Sequence, residues 1–162
     1  MRYRPDTEIV LDDLSFEVHT NEKIGIVGRT GSGKSTICIS ISRIVEIFKG
    51  SILIDGVDIS QLELNYLRKR ITVIPQDPIL FKGTIRYNLD PGDNLGTEQL
   101  LKAFTLTGLD YELDKEISEN GSNLSSGEKQ LICICRAILR ESKVVILDEA
   151  TSNIDIVTEQ RI

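Results

Sequence analysis

Two hydrophobic rhythms run along this 162-residue chain. A two-residue alternation marks Leu14-Ser15-Phe16-Glu17-Val18 as a half-buried strand. Lys23 to Val27 is a short apolar run of strand type. Ser51 to Ile54, followed by Asp55-Gly56, reads as a strand entering a tight hairpin turn. Ile71 to Ile74 predicts a buried strand stopped by Pro75, and Lys143 to Leu147 is unbroken enough for a central parallel strand. Helical rhythm takes over elsewhere. Thr36 to Ile41 can open a helix, and Leu62 to Arg70 predicts a short one with a basic end. Thr97 to Thr107 predicts a helix capped by Thr97, favoured by Glu98 in its first turn and ended by Gly108. Ser126 to Arg140 predicts a long helix with a broad apolar face, and Ile154 to Ile162 the start of another. Asp90 to Asn94 reads as a loop and Asp110 to Asn120 as a solvated acidic surface. Alternating strands and helices of this kind predict an α/β domain with a mainly parallel sheet and a smaller antiparallel β layer beside it.

One loop interrupts the pattern with specific chemistry. Gly28-Arg29-Thr30-Gly31-Ser32-Gly33-Lys34-Ser35 fits G-x-x-x-x-G-K-[ST] and sits between a strand-type run and a helix-type run. Glycines there let successive backbone N–H groups turn inward around a phosphate. The helix N-terminus adds unpaired donors and a partial positive charge. Lys34 can reach the β- and γ-phosphates, and the Ser35 hydroxyl can ligate Mg²⁺. The competing reading, a Gly/Ser-rich turn that matches by accident, does not account for the strand–loop–helix context.

Two further segments gain meaning beside that loop. Val144-Val145-Ile146-Leu147-Asp148-Glu149 is an apolar strand ending in two acids, which places carboxylates where open α/β sheets bind ligands. Asp148 can hold Mg²⁺, and Glu149 can orient and deprotonate an attacking water. Leu124-Ser125-Ser126-Gly127-Glu128 precedes the long helix; Ser125 and Glu128 have the spacing of a capping box, and the free N–H groups make a second anion site. Taken alone, each segment is also an ordinary strand end or helix start.

Composition adds mainly exclusions. The formal charge is -6, and no basic stripe marks a nucleic-acid partner. No apolar run reaches the roughly 20 residues of a membrane span, and no signal peptide is visible. Cys38, Cys133 and Cys135 read as reduced, buried, small hydrophobes, and Cys-x-Cys without further Cys or His is not a zinc pattern. His19, the one histidine, reads as solvent-facing and not as a catalytic base.

In their order and spacing these segments resemble the ATP-binding cassette family's nucleotide-binding domain. Gly28 to Ser35 resembles its Walker A loop, Leu124 to Glu128 its signature sequence, and Val144 to Glu149 its Walker B strand with catalytic glutamate. Gln76, within Ile74-Pro75-Gln76-Asp77-Pro78, resembles the Q-loop glutamine, Ser152 to Asp155 the D-loop, and Tyr3 the aromatic residue that stacks on adenine. The finer resemblance is to the second such domain of multidrug-resistance-associated, subfamily C exporters, through Gly25 to Thr30, Ile74 to Phe81 and Asn88-Leu89-Asp90-Pro91. The signature departs from the usual Leu-Ser-Gly-Gly-Gln at Ser126 and Glu128.

The resemblance implies a P-loop NTPase core with a helical signature subdomain, working with ATP and Mg²⁺. Tyr3, Gly28, Arg29, Thr30, Gly31, Ser32, Gly33, Lys34, Ser35, Thr36 and Gln76 would bind nucleotide; Ser35, Gln76 and Asp148 would surround Mg²⁺; Glu149, Lys34 and Gln76 would carry catalysis. Ser125, Ser126, Gly127 and Glu128 would complete the ATP site of a second nucleotide-binding domain in a head-to-tail pair. Transmembrane domains of the same transporter, at the cytoplasmic face of a membrane, are the other implied partner. The alternatives are a hydrolysis-deficient or regulatory nucleotide-binding module and a soluble cassette protein of translation or DNA repair. The family's strand before Tyr3 and its histidine-bearing strand after the D-loop have no counterpart among residues 1–162. The chain is therefore expected to be a partial domain that folds poorly by itself.

Overall fold

The computed structural model describes residues 1–149. The D-loop segment Ser152 to Asp155 and the helix expected from Ile154 to Ile162 lie outside the described residues. The chain divides into two compact units, Met1–Lys69 and a second that begins at Arg70.

In the first unit, helix α1 (Lys34–Ile41) follows the glycine-rich loop and starts from Gly33, whose φ of 95° suits a residue without Cβ. Strands β1 (Leu53–Ile54) and β2 (Val57–Asp58) form the expected hairpin, with Asp55 and Gly56 both left-handed at its tip. The Asp58 carboxylate accepts from the Ser60 N–H and starts a 3₁₀ turn, Ile59–Gln61. Helix α2 (Leu64–Arg68) is capped by Glu63, whose carboxylate accepts from the N–H groups of Asn65 and Tyr66. Arg43 ties the unit together, donating to the Ile59 and Leu62 carbonyls at 2.8 Å each.

Leu14 to Val18 and Lys23 to Val27 do not form the strands their pattern predicts. Neither has a ladder partner among the described residues, and Phe16, Ile26 and Val27 are exposed, Val27 almost completely. Alternation marks a segment able to pair, but pairing itself is a tertiary event.

The second unit is built on parallel strands β3 (Ile71–Ile74) and β6 (Val144–Leu147), paired from Ile71↔Val144 to Ile74↔Leu147. Between them the chain forms β4 (Gly83–Thr84), α3 (Ile85–Leu89), α4 (Thr97–Thr107), β5 (Glu116–Ile117) and α5 (Ser126–Arg140), with β4 and β5 antiparallel. Parallel and antiparallel pairings around helices give the α/β class expected. β6 itself departs from a fully covered central strand: Val145 and Leu147 are exposed while Val144 and Ile146 are half-buried.

Helices α3, α4 and α5 share one core, centred on the buried Ile85, Leu100, Phe104, Ile132 and Cys135. A second cluster, Ile74, Cys133, Ile134 and Ala137, seats α5 on β3. Three readings need correction. The N-cap of α4 is Gly96, not Thr97. The Gln99 side chain reaches back to the Gly96 N–H, and the Thr97 hydroxyl instead accepts from Arg86. Asp110 to Asn120 is not simply a solvated surface, because Leu113 and Ile117 are buried in the helical core. Cys38 is only half-buried, whereas Cys133 and Cys135 are buried; burial pushes the Cys135 thiol up to about 11, so it stays protonated near neutrality.

Candidate functional site

The glycine-rich loop takes left-handed backbone at Gly31 and Gly33, a conformation that suits glycine, and is crowded by side chains at Gly28 and Gly33. A Cβ on Gly28 would lie 2.4 Å from Ser32 Oγ, and one on Gly33 would lie 3.0 Å from Leu11 Cδ2 and 3.3 Å from Val10 Cγ1. Gly31 has φ 81°. The Ser32 N–H donates to the Arg29 carbonyl and closes a turn within the loop. Lys34 folds back across it, its ammonium donating to the Gly28 carbonyl at 2.9 Å and the Arg29 carbonyl at 3.3 Å. Ser35 is exposed at the start of α1. Tyr3 meets the same helix: its hydroxyl lies 2.8 Å from the buried Thr36 Oγ1, while the residue stays about half exposed. The structure thus brings Tyr3, Gly28 to Ser35 and Thr36 together within the first unit.

In the second unit, adjacent strand ends carry the amide and the two acids. The ladder closes with Ile74 opposite Leu147, and the Asp148 N–H donates to the Ile74 carbonyl at 3.0 Å. Two residues beyond Ile74 comes the exposed Gln76; Asp148 is half-buried and Glu149 exposed. Glu149 has φ 50°, a left-handed conformation that costs a non-glycine residue about 1 kcal/mol. Gln130, fully buried on α5, donates from Nε2 to the Pro75 carbonyl at 3.1 Å.

The start of α5 is a complete capping box. Ser125 Oγ accepts from the Glu128 N–H at 3.2 Å, and the Ser125 N–H donates to Glu128 Oε2 at 2.7 Å. The Ser125 hydroxyl also lies 2.8 Å from that oxygen. The Tyr111 hydroxyl donates to Glu128 Oε1, and the Lys115 ammonium stands 3.3 Å from the centre of the Tyr111 ring. The Tyr111 hydrogen bond, then the Ser125 N–H and hydroxyl, hold the Glu128 carboxyl below its ordinary range. The same carboxylate pushes the Tyr111 phenol up to about 12. Ser125 and Ser126 are exposed and Gly127 half-buried.

Sequence reasoning missed several supports of these segments. Val10 and Leu11 against Gly33, and Tyr111 behind Glu128, left no signal beyond residue type. Gln130 did leave one, as a polar side chain on the face of α5 that carries the buried Cys133, Ile134 and Ala137. Arg136 is half-buried off that face, with Nη1 3.9 Å from Cys133 Sγ. Arg136 donates to the Asn88 carbonyl at 2.5 Å, the Ile79 carbonyl at 2.7 Å and Asn88 Oδ1 at 2.8 Å.

The sequence profile of the ABC transporter family matches residues 11–152, most of the chain. The chain belongs to the ABC transporter family. Among known relatives, ABC transporter C family member 13 of Dictyostelium discoideum is 50% identical over 165 residues, covering 98% of this chain and 12% of that protein. ATP-binding cassette sub-family C member 3 of Homo sapiens is 48% identical over 169 residues, covering all of this chain and 11% of that protein. A solved bacterial Atm1-family ABC exporter with ATP bound superposes with a TM-score of 0.92 at 38% identity, over 99% of this chain and 29% of that one. The ABC transporter chain described here therefore spans about an eighth of the length of the subfamily C relatives it matches. Among the described residues no helix is long and apolar enough to cross a membrane.

Proposed function

We propose that residues 1–162 form part of an ABC-type ATP-binding domain, the second of a subfamily C exporter, which binds and hydrolyses ATP to power transport. The observation that carries this reading is the loop's backbone, left-handed at Gly31 and Gly33 where it enters the N-terminus of α1, with the Lys34 ammonium folded across it. A loop so constrained serves an anion held by backbone N–H groups. The residues also fit ATP and Mg²⁺ chemically. Lys34 already holds its charge across the loop carbonyls, Ser35 offers a hydroxyl, and Gln76 and Asp148 offer an amide and a carboxylate from adjacent strand ends. Bound Mg²⁺ would neutralise charge on the β- and γ-phosphates.

In this reading Tyr3 stacks on adenine. Gly28 to Thr36, including Arg29, Thr30, Gly31 and Ser32, hold the phosphates, and Lys34 moves from loop carbonyls to phosphate oxygens. Ser35, Gln76 and Asp148 hold the metal, directly or through water. Glu149 orients the attacking water and accepts its proton. Ser125, Ser126, Gly127 and Glu128 serve the nucleotide of a second nucleotide-binding domain paired head to tail. The exposed Ile79 and Phe81 meet the transmembrane domains, at the cytoplasmic face of the membrane. Closure of the pair is driven by ATP only insofar as ATP binds the closed form more tightly.

The test is Glu149→Gln in the full-length protein. Binding of a fluorescent ATP analogue should persist, while turnover falls by about 10²-fold or more. Unchanged turnover removes Glu149 from the mechanism.

A further inference from the structure

Gln130 occupies a position that the packing of α5 assigns to an apolar side chain. With Cys133, Ile134 and Ala137 it follows the i, i+3, i+4, i+7 stripe of one helix face, and those three residues seat α5 on β3 through Ile74. Gln130 is fully buried, yet among the described residues its Oε1 has no hydrogen-bond donor. Its Nε2 donates to the Pro75 carbonyl. That carbonyl fixes which end of the amide faces it, since only the NH₂ group can donate. A leucine would fill the site without an orphan acceptor, so packing alone does not explain a glutamine there.

The partner explains it better. Pro75 has no N–H, so its carbonyl is its one backbone hydrogen-bonding group, and Gln130 holds it. The carbonyl just before, that of Ile74, is held by the Asp148 N–H. The chain leaving β3 is therefore pinned at two successive carbonyls, once by the carboxylate-bearing end of β6 and once by the helix that starts at Ser125. The next residue is Gln76. We infer that Gln130 is a positioning residue, a brace from α5 to Pro75 that sets where Gln76 leaves the sheet and ties its placement to the helix beginning at Ser125. This rests on the proposed role of Gln76 toward Mg²⁺ and water; the brace itself does not.

The test uses the full-length protein with Q130L, which removes the amide, and Q130N, which keeps it but is one methylene too short. The first readout is hydrogen exchange of residues 76–81 without nucleotide, which needs no catalysis. Loss of one bond should speed it about fivefold in either variant, with residues 131–137 unchanged. The second is turnover: Q130L should lower it about tenfold, as loss of a supporting contact does, with KM for ATP nearly unchanged. The third is the double variant Q76A/Q130L, which should turn over no more slowly than Q76A. Equal losses from Q130L in both backgrounds, or unchanged exchange at residues 76–81, would overturn the inference. If Q130L does not fold, Q130N decides both points alone. Faster exchange together with full activity of E149Q would instead leave the brace standing and remove the hydrolytic reading.

Discussion

Glu128 closes the segment proposed above as the signature, and its surroundings show how a carboxylate is kept there. Two groups of Ser125 and the Tyr111 hydroxyl turn toward it, so its charge is met within the chain. Because its pKa is depressed in the folded state, the stability it contributes is present above the ordinary carboxylate range and lost as pH falls through the lowered folded value. Tyr111 works in the opposite direction. Its raised value, about 12, means its contribution is full below pH 10 and lost as pH rises from there towards 12. Tyr111→Phe should therefore weaken protection of the first-turn amides of α5, by about 1 kcal/mol at neutral pH for a hydrogen bond to a charged group that is partly solvated. The difference between the two proteins, read by hydrogen exchange, should shrink as pH falls below the ordinary carboxylate range and through the lowered folded value of Glu128. A difference that stayed constant across that range would mean the phenol acts by packing and not through the carboxylate. The cap was legible from Ser125 and Glu128 alone, since its geometry is local; Tyr111 was not, because it arrives from 17 residues away in a stretch that reads as a polar surface.

Elements were legible where pattern and packing coincide. The apolar face predicts α5 over Ser126–Arg140 and the structure has it; Gly108 ends α4 in the left-handed region as its residue type requires. The misses have physical causes. Leu14 to Val18 and Lys23 to Val27 have strand patterns, but a strand exists only as a ladder, and composition carries no partner. Asp110 to Asn120 hides Ile117 because a two-residue strand is too short to show a period. Arg136 belongs to this scale too, since it joins α5 to α3 and to the segment after Gln76. Burial lowers its pKa, and its fork satisfies two carbonyls and the Asn88 amide oxygen at once. Arg136→Lys keeps the charge but loses the fork. It should destabilise residues 79–89 by about 2 kcal/mol, measured as faster exchange at Phe81, whose N–H is held by Asn88 Oδ1. Exchange at α1 should not change. If the lysine variant protects Phe81 as well as arginine does, charge alone holds the segment.

At the scale of the whole molecule, the proposed site segments and the strand ladders differ in what sequence alone can carry. Gly28 to Ser35, Ser125 to Glu128 and Asp148-Glu149 yield an expectation because each is a short run whose proposed chemistry depends on neighbours in sequence. The ladders do not, because they join residues far apart, as Ile71 and Val144 are. That difference has a consequence for the chain as a molecule in solution. Leu14, Phe16, Val18, Ile24, Ile26 and Val27 are all exposed, within a stretch of 14 residues that has strand-forming composition and no ladder partner among the described residues. An exposed apolar segment of strand composition with no ladder partner among the described residues is a template for association. The 162-residue chain, expressed by itself, is therefore expected to self-associate in a concentration-dependent way, to bind a hydrophobic dye and to melt without a sharp transition. Placing lysine at Phe16 and Val27 should lower dye binding and light scattering together, because charge on a bare edge blocks pairing. In the full-length exporter proposed above, the amides of residues 23–27 should exchange slowly, as those of a paired strand do. A monomeric chain with no dye binding and one cooperative thermal transition would show that these residues are covered by the chain itself.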